Sequence, residues 1–492
     1  MADKQNAKGS IIQAVILAAL VFFGFQLFFG HHQEKAQERE AAKTVVVRED
    51  VPPSKEIGEV VKVDTPLYTA EISTVNGKLA KLFVKKYKAQ LVSPVSKSIG
   101  VYPLMTVSDS KPLSSQLVNL KLTPSATSLE VKDKPEKLVM KGELPDGREF
   151  VKTFTFFPDS YRIEVKTSLK GANLQTVVGP DIKINEAHTS RMGHIGPVLE
   201  TEDKVIRLEP KDIPGYLSFS RVLWAGEEDK YFLMAVKHKE FSSIVELLPG
   251  NHTAIRNLVD TFTFYGGPKE LNRLEKLGMD AAIDFGIFGF AAKPVLKLFL
   301  FLHRFIPNWG LLIIVFTILV RILLHPLAHK SYVSMKKMQE LAPKLEEIKK
   351  KYGNDPQKLQ EETMKLYKEV GVNPASGCLP MLLQIPIFLV LYEIFLNAVE
   401  LKGASFLWIP DLSQPDPTYL LPILMGLSMI ALQFLTPTSN PQQRYIFIAV
   451  SVLFTFMFAN FPAGLVLYWL TNNVITAIQN FLIARLLERK KG

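Results

Sequence analysis

Hydrophobic and polar positions change their period several times along this chain, and each change marks a different kind of element. Residues 11–29 carry no charge and follow Lys4 and Lys8; a largely apolar run of that length suffices to cross a hydrocarbon core of about 30 Å. The polar stretch "HHQEKAQERE" comes directly afterwards, which favours an uncleaved membrane anchor over 1–30, with a cleaved secretory signal as the alternative. Residues 31–60 are charged, proline-punctuated and aperiodic, the texture of a linker.

From 61 to 275 the period is two. In "REFVKTFTFFPDSYRIEVKTSL", Tyr161, Ile163 and Val165 alternate with Arg162, Glu164 and Lys166, and Phe154 and Phe156 alternate with threonines. Turn signals at Pro145-Asp146-Gly147 and Pro158-Asp159 separate such runs, which predicts an antiparallel all-β sandwich. His188 and His194 flank Arg191 in a loop-like stretch that reads more simply as surface polarity than as a catalytic set.

Beyond 275 the pattern is helical and oily. Over 280–305, Lys293, Lys297 and Arg304 share one helical face, with Phe288, Leu296, Phe299 and Leu300 around the rest, so an amphipathic helix in the membrane interface is expected; a spanning helix is the alternative. Five spans follow at 308–329, 376–397, 419–436, 444–460 and 463–484, making a core of 308–485 and six spans in all. Between the first two of these five, 330–374 is polar but periodic: Met338, Leu341, Leu345, Ile348 and Tyr352 mark one helical face, and Leu359, Thr363, Leu366 and Val370 a second. "GNDP" breaks them, offering Asp355 as N-cap and Pro356 at the first helical position, so a helical hairpin is predicted.

Charge then orients the elements. The hairpin holds ten lysines against seven acids, and the tail 486–492 is short and basic, whereas loop 398–418 is not. Excess lysine faces the cytoplasm, so both termini and the hairpin lie there and the β domain lies outside. A net charge of +10 with 47% hydrophobic and 22% charged residues fits a polytopic α-helical membrane protein carrying an exported all-β sandwich domain. The single cysteine, Cys378, allows no intrachain disulfide.

Within this apolar texture a few polar residues stand out. Arg321 lies nine residues before Lys330, about 13 Å inside the boundary at 1.5 Å per residue. Gln384 enters to a similar depth on the next span, and Gln433, Asn472, Asn473 and Gln479 fall in or near the same half of the bilayer; Glu393 and Asn397 are exceptions in the other half. A buried arginine is costly unless hydrated or paired. One reading is a hydrophilic groove open to the cytoplasm and closed outward; the other is a snorkelling arginine with amide hydrogen bonds between helices. A solute transporter with a midplane polar site would also place polar groups here, but neither inverted repeats nor paired broken helices are visible. His325 and His329 have the i, i+4 spacing of a zinc pair, yet no third ligand stands near in sequence and Pro326 disturbs the turn, so no metal or other cofactor is expected.

"TILVRILLHPL", "VNPASGCLPMLLQIPIF", "DPTYLLPILMG" and "FPAGLVLYWLTNNVITAIQN", in this order, resemble the membrane core of the YidC/Oxa/Alb insertases, and the exported β domain resembles that of the Gram-negative YidC type. The resemblance implies a membrane protein insertase and chaperone rather than an enzyme. It implies residence in the bacterial inner membrane, a supersandwich periplasmic domain, no cofactor, and action on nascent membrane proteins alone or beside the SecYEG translocon. The family's groove arginine carries over to Arg321 and the threonine one turn earlier to Thr317. Its substrate slide carries over to Cys378, Pro380 and Gln384 on the third span and to the neighbourhood of Phe454 and Met457 on the fifth. Ser451 stands where many relatives have proline, and Trp469 where some have tyrosine. The tail offers only Arg489, Lys490 and Lys491 to ribosomal RNA, so the hairpin is the better ribosome contact; nothing points to DNA.

Overall fold

A computed structural model describes residues 52–182, 193–372, 379–437 and 441–489. The expected anchor, most of the linker, His188, Arg191, Cys378 and the last three residues lie outside the described residues. Two units are present, one of strands running through Asp284 and one of helices taking up nearly all of the chain from Phe285.

In the first unit, alternation becomes a buried face. Glu149–Phe156 pairs antiparallel with Arg162–Leu169, Phe154 opposite Val165, and every second residue of both strands points inward. These strands belong to a large sheet that continues through Glu136–Glu143 on one side and Thr261–Pro268, Phe232–Leu248 and Tyr216–Glu228 on the other. A five-stranded sheet, built around Val60–Asp64, Tyr68–Ser73 and Leu79–Val84, forms the second layer of a β sandwich. The layers approach closely at Gly266, where a Cβ would fall 2.4 Å from Leu82 Cδ2, so glycine is the residue that fits.

The inward face is not wholly apolar. Lys152 lies between Phe150 and Phe154 on that face, fully buried. Its ammonium donates to Thr106 Oγ1 at 2.9 Å and to the backbone oxygens of Leu104 and Asn76, and burial pushes its pKa down to about 7. Lys78 is likewise buried, donating to Ser54 O at 2.7 Å; burial pushes it down to about 8 against an opposing pull from Glu56. Glu228 is buried with three partners: Lys269 Nζ at 2.7 Å, Arg207 Nε at 2.8 Å and His194 Nδ1 at 3.0 Å. Burial alone would raise its pKa, but Lys269 and Arg207 outweigh it and hold the carboxyl well below its usual range. Arg207 also donates to Ala282 O at 3.1 Å, pinning the segment that leaves the last strand. His194, considered above beside His188 and Arg191, is thus part of a structural ion cluster.

In the second unit, α1 (Gly289–His303) precedes α2 (Trp309–Glu340), which Asn308 caps by accepting the Leu311 N–H at 3.0 Å. Helix α2 runs unbroken past residue 329, the expected end of the span, into the segment expected to be helical, because nothing from His329 to Glu340 interrupts a helix: Pro326 is absorbed within it and no glycine follows. Then α3 (Ala342–Tyr352) and α4 (Pro356–Val370) form the hairpin. Asp355 accepts the Lys358 N–H at 3.2 Å, and Gly371 closes α4 with a φ of 68°, the cap pattern that "GNDP" predicts. The remaining helices are α5 (Leu379–Asn397), α6 (Leu420–Leu435), α7 (Pro441–Phe458) and α8 (Ala463–Arg489). Helix α8 packs against both α2 and α6, and α6 against α7.

Two of the described helical segments, Gly286–His303 and Trp309–Glu340, are long and apolar enough to cross a membrane. Among the residues with described side chains, the apolar stretches Leu383–Asn397, Leu420–Leu435 and Arg444–Phe458 of α5, α6 and α7 are shorter, and α8 carries several amides. The segment expected at the interface thus passes the length test for a span, having only Lys293 and Lys297 as charges.

Lys152 and Lys78 carry fewer protons folded than unfolded between their lowered pKa values and the ordinary 10.5, so the β unit gains stability as pH rises through that interval. Thermal unfolding of the detergent-solubilised protein, followed by β-sheet circular dichroism, should show a midpoint climbing from about pH 7 to about pH 9. Lys152→Met should lower the midpoint throughout, orphaning acceptors at about 1–3 kcal/mol, and flatten the climb. An unchanged slope would refute the buried-lysine account.

Candidate functional site

Polar residues in the helical unit converge on α8. The sequence "NNVITAIQN" repeats a polar pair at seven-residue spacing, Asn472-Asn473 and Gln479-Asn480, so two polar seams run along one helix. The first seam meets α2. Arg321, one turn beyond Thr317, donates its Nε–H to Asn472 Oδ1 at 2.6 Å. Gln479 donates to the Arg321 carbonyl at 3.3 Å and lies 3.3 Å from His325 Nδ1. The second seam meets α6: Asn473 Nδ2 donates to Ser428 Oγ at 2.9 Å, and Asn480 to Thr436 Oγ1 at 3.4 Å. One turn before Asn472, the Tyr468 hydroxyl accepts from Gln384 Nε2 of α5 at 2.5 Å.

These contacts give the arginine an unusual environment. Its fixed partner is a neutral amide, so the positive charge is held in place without being cancelled. A guanidinium has five N–H donors, and Asn472 uses one of them. Asn472 and Asn473 are themselves buried, so they act as hydrogen-bonded ties between helices. Arg321 and Gln384 are only half-buried.

The residues singled out from sequence divide accordingly. Arg321, Asn472, Asn473 and Gln384 belong to the two connected seams. Thr317 is fully buried, and its hydroxyl donates back to Ile313 O at 2.7 Å within α2. Gln433 is half-buried on α6 and joins none of these hydrogen bonds. Pro380 falls in the first turn of α5, where only the backbone is described, and Cys378 precedes it. Phe454 and Met457 are half-buried on α7. Phe454 enters an aromatic cluster joining α5, α7 and α8, with ring centroids 5.9 Å from Phe458 and 6.5 Å from Trp469; Phe388 lies 5.2 Å from Trp469. Tyr468, Ser428 and Asn480 were not anticipated; the seven-residue spacing carries the signal for Asn480, whereas an isolated serine or tyrosine in a span carries little. The rings of His325 and His329 are 6.2 Å apart, and no group of three His, Cys, Asp or Glu residues suited to a metal is present among the described residues.

The helix ends remote from the hairpin are tied to one another. Phe406 packs on Gly310 of α2 so closely that a Cβ there would fall 2.1 Å from its Cγ. Leu412 O and Gln414 O accept the Gly464 and Ala463 N–H groups at the start of α8, at 2.9 and 2.8 Å. Asp416 accepts from Leu421 N, Thr418 N, Thr418 Oγ1 and Trp408 Nε1 at 2.8–3.2 Å. Close packing extends inward, since Gly426 of α6 meets Thr455 of α7 and Gly464 meets Phe395 of α5.

Comparison with known proteins places this geometry in context. Residues 301–490 match the family described as 60Kd inner membrane protein, and residues 60–244 match the YidC periplasmic domain. The membrane protein insertase YidC of Aquifex aeolicus is 35% identical, the alignment covering 97% of this chain and 95% of the relative. That of Geobacter metallireducens is 35% identical over 95% of this chain and 96% of the relative. The Helicobacter pylori protein of the same description is 37% identical over 83% and 77%.

If the seams bind the helices together, their amides matter to stability and Gln433 does not. Asn472→Ala should destabilise the detergent-solubilised protein by about 1–3 kcal/mol, the penalty for an orphaned buried donor. Gln433→Ala should change it by less than about 0.5 kcal/mol. Thermal unfolding of the two variants reversing this order would show that the seam is not a structural tie.

Proposed function

Since this chain belongs to the YidC family of membrane protein insertases, we propose that it inserts nascent membrane proteins into the bacterial inner membrane through a hydrophilic groove around Arg321. The observation that carries this reading is a half-buried guanidinium whose side-chain tie among the described residues is a neutral amide, using one of its five donors. Water fills a site of that kind most economically, and a watery indentation shortens the apolar barrier that a substrate's polar tail must cross. Thr317, Gln384, Gln433, Asn472 and Asn473 border or brace the groove. The third and fifth spans supply the slide along which the apolar segment passes into lipid, with Phe454 and Met457 on α7; Cys378 and Pro380, assigned to it from sequence, lie where no side chain is described. Burial of that segment, at about 25 cal/mol per Å², drives the transfer, so neither nucleotide nor covalent chemistry is required.

The topology that accompanies this mechanism has six spans, with both termini and the α3–α4 hairpin in the cytoplasm and the β unit of 61–275 in the periplasm. Lysine excess in 330–374 and its scarcity in 398–418 support it. The segment 280–305 then lies along the periplasmic interface and 308–485 is the insertase core. The exposed basic face of the hairpin, including Lys349, Lys350 and Lys351, suits the phosphates of a translating ribosome. Larger substrates call for cooperation with the SecYEG translocon.

The charge hypothesis separates variants that a packing role would not. Arg321→Lys should retain part of the insertion of substrates with acidic tails, because charge survives while the planar fork is lost. Arg321→Ala should lose roughly tenfold, the equivalent of about 1.4 kcal/mol. Asn472→Asp keeps a partner for Arg321 but cancels its charge, and should insert acidic-tailed substrates nearly as poorly as Arg321→Ala while sparing neutral-tailed ones. Reconstituted insertion assays on paired substrates test this. Wild-type activity of Asn472→Asp, or equal losses for both tail types, would exclude an electrostatic role.

A further inference from the structure

The segment between α5 and α6 is folded rigidly yet ends in an exposed apolar tip. Phe406 and Ile409 exchange two backbone hydrogen bonds of 2.9 Å, and Ala404 O accepts the Leu412 N–H at 2.8 Å. This small hairpin turns at Leu407, whose φ of 51° lies in the left-handed region, a conformation that leucine adopts only under constraint. Leu407 is 75% exposed and Trp408 38% exposed. The polar end of the indole is occupied inward, its N–H donating to Asp416 at 3.2 Å, so the ring presents hydrocarbon outward. Strain and exposure at one position point to function rather than folding.

We propose that Leu407 and Trp408 form a wedge that enters the headgroup–acyl boundary of the outer leaflet. The wedge rests on the topology proposed above, which puts this loop at the periplasmic surface. Three observations favour lipid as the occupant. The tip is tied to the ends of α2 and α8 through Phe406 on Gly310 and Leu412 on Gly464, so it cannot rise far from the level at which those helices emerge. Its surroundings continue the same character: Leu311 in the first turn of α2, and Tyr419 and Leu420 at the start of α6, are exposed as well, as in the aromatic belts of membrane proteins. Two side chains also expose far less area than the roughly 1,200 Å² a stable protein contact buries, whereas an interfacial anchor needs only a few apolar bodies. The consequence is positional. The closed floor of the groove is held at a fixed depth relative to the outer leaflet.

Replacing Cys378, the chain's one cysteine, by serine leaves a background in which Leu407→Cys or, separately, Trp408→Cys can carry a small polarity-sensitive fluorophore. Lys170→Cys, on an exposed position of the β unit, serves as the aqueous control. In proteoliposomes, label at 407 or 408 should be quenched several-fold less by iodide than label at 170, and strongly by lipid bearing a shallow nitroxide. Iodide quenching equal to the control would put the tip in water and overturn the proposal. Shielding from both quenchers would mean that protein covers the tip, and would overturn it equally. Insertion of a small substrate by the same vesicles reports the proposed function separately, so the depth of the tip and the activity can fail independently.

Discussion

A guanidinium inside hydrocarbon must be hydrated, paired or hydrogen-bonded, and the helical unit is organised around which of these Arg321 receives. A carboxylate would neutralise it and turn the site into a buried ion pair, stable only with excellent geometry. An amide instead fixes its direction through one N–H and does not neutralise the charge, and no carboxylate pairs with it among the described residues. That choice commits the neighbouring helices: α8 must bring Asn472 to α2 while also holding α6, and it does so with a second amide seven residues along each seam. The residues that line the proposed groove are therefore also interhelical ties, so the proposed lining and the packing draw on the same amides.

An indentation on one side of a membrane requires closure on the other. For the proposed groove, that closure falls to the helix ends remote from the hairpin, through small residues, rings and one hydrogen-bonded carboxylate. Gly310, Gly426 and Gly464 each sit where a methyl group would strike a neighbour, and the cluster of Phe388, Phe454, Phe458 and Trp469 fills the space between α5, α7 and α8. Asp416 gathers four donors and locks the connecting loop over these ends. The β unit holds its own core and satisfies its buried cations and Glu228 from within, Lys152 through neutral oxygens and Glu228 through Lys269 and Arg207.

Much of this was legible in the sequence where a period or a cost makes residues conspicuous. Alternation announced the strands around Phe154 and Ile163, a cap residue announced α4, and a cation among leucines announced Arg321. Legibility fails where the same residue type has two physical outcomes. Lys152 occupies an inward position of an alternating strand but reads as surface polarity, because its three acceptors come from segments remote in sequence. Thr317 stands out one turn before Arg321, but the sequence does not show that its hydroxyl donates within its own helix to Ile313 O. Tyr468 and Ser428 acquire meaning only through Gln384 and Asn473 on other helices. The folded loop at Leu407 has no period to detect, and its strained tip is a property of the backbone rather than of composition.

The proposed groove requires water to reach the level of Arg321 from the cytoplasm and from nowhere else. Ser428 and Leu427 are neighbours at the same depth on α6, one tied to Asn473 and the other exposed on a different side, so they provide a matched pair. In a background lacking Cys378, single cysteines at Gln384, Ser428 and Leu427 can be challenged with a membrane-impermeant thiol reagent applied to either face. The groove predicts labelling at Gln384→Cys and Ser428→Cys from the cytoplasmic face alone, with Leu427→Cys inert from both. Failure of both groove positions to label from the cytoplasm, or labelling from the periplasm, would contradict it and leave Arg321 a snorkelling residue among interhelical ties.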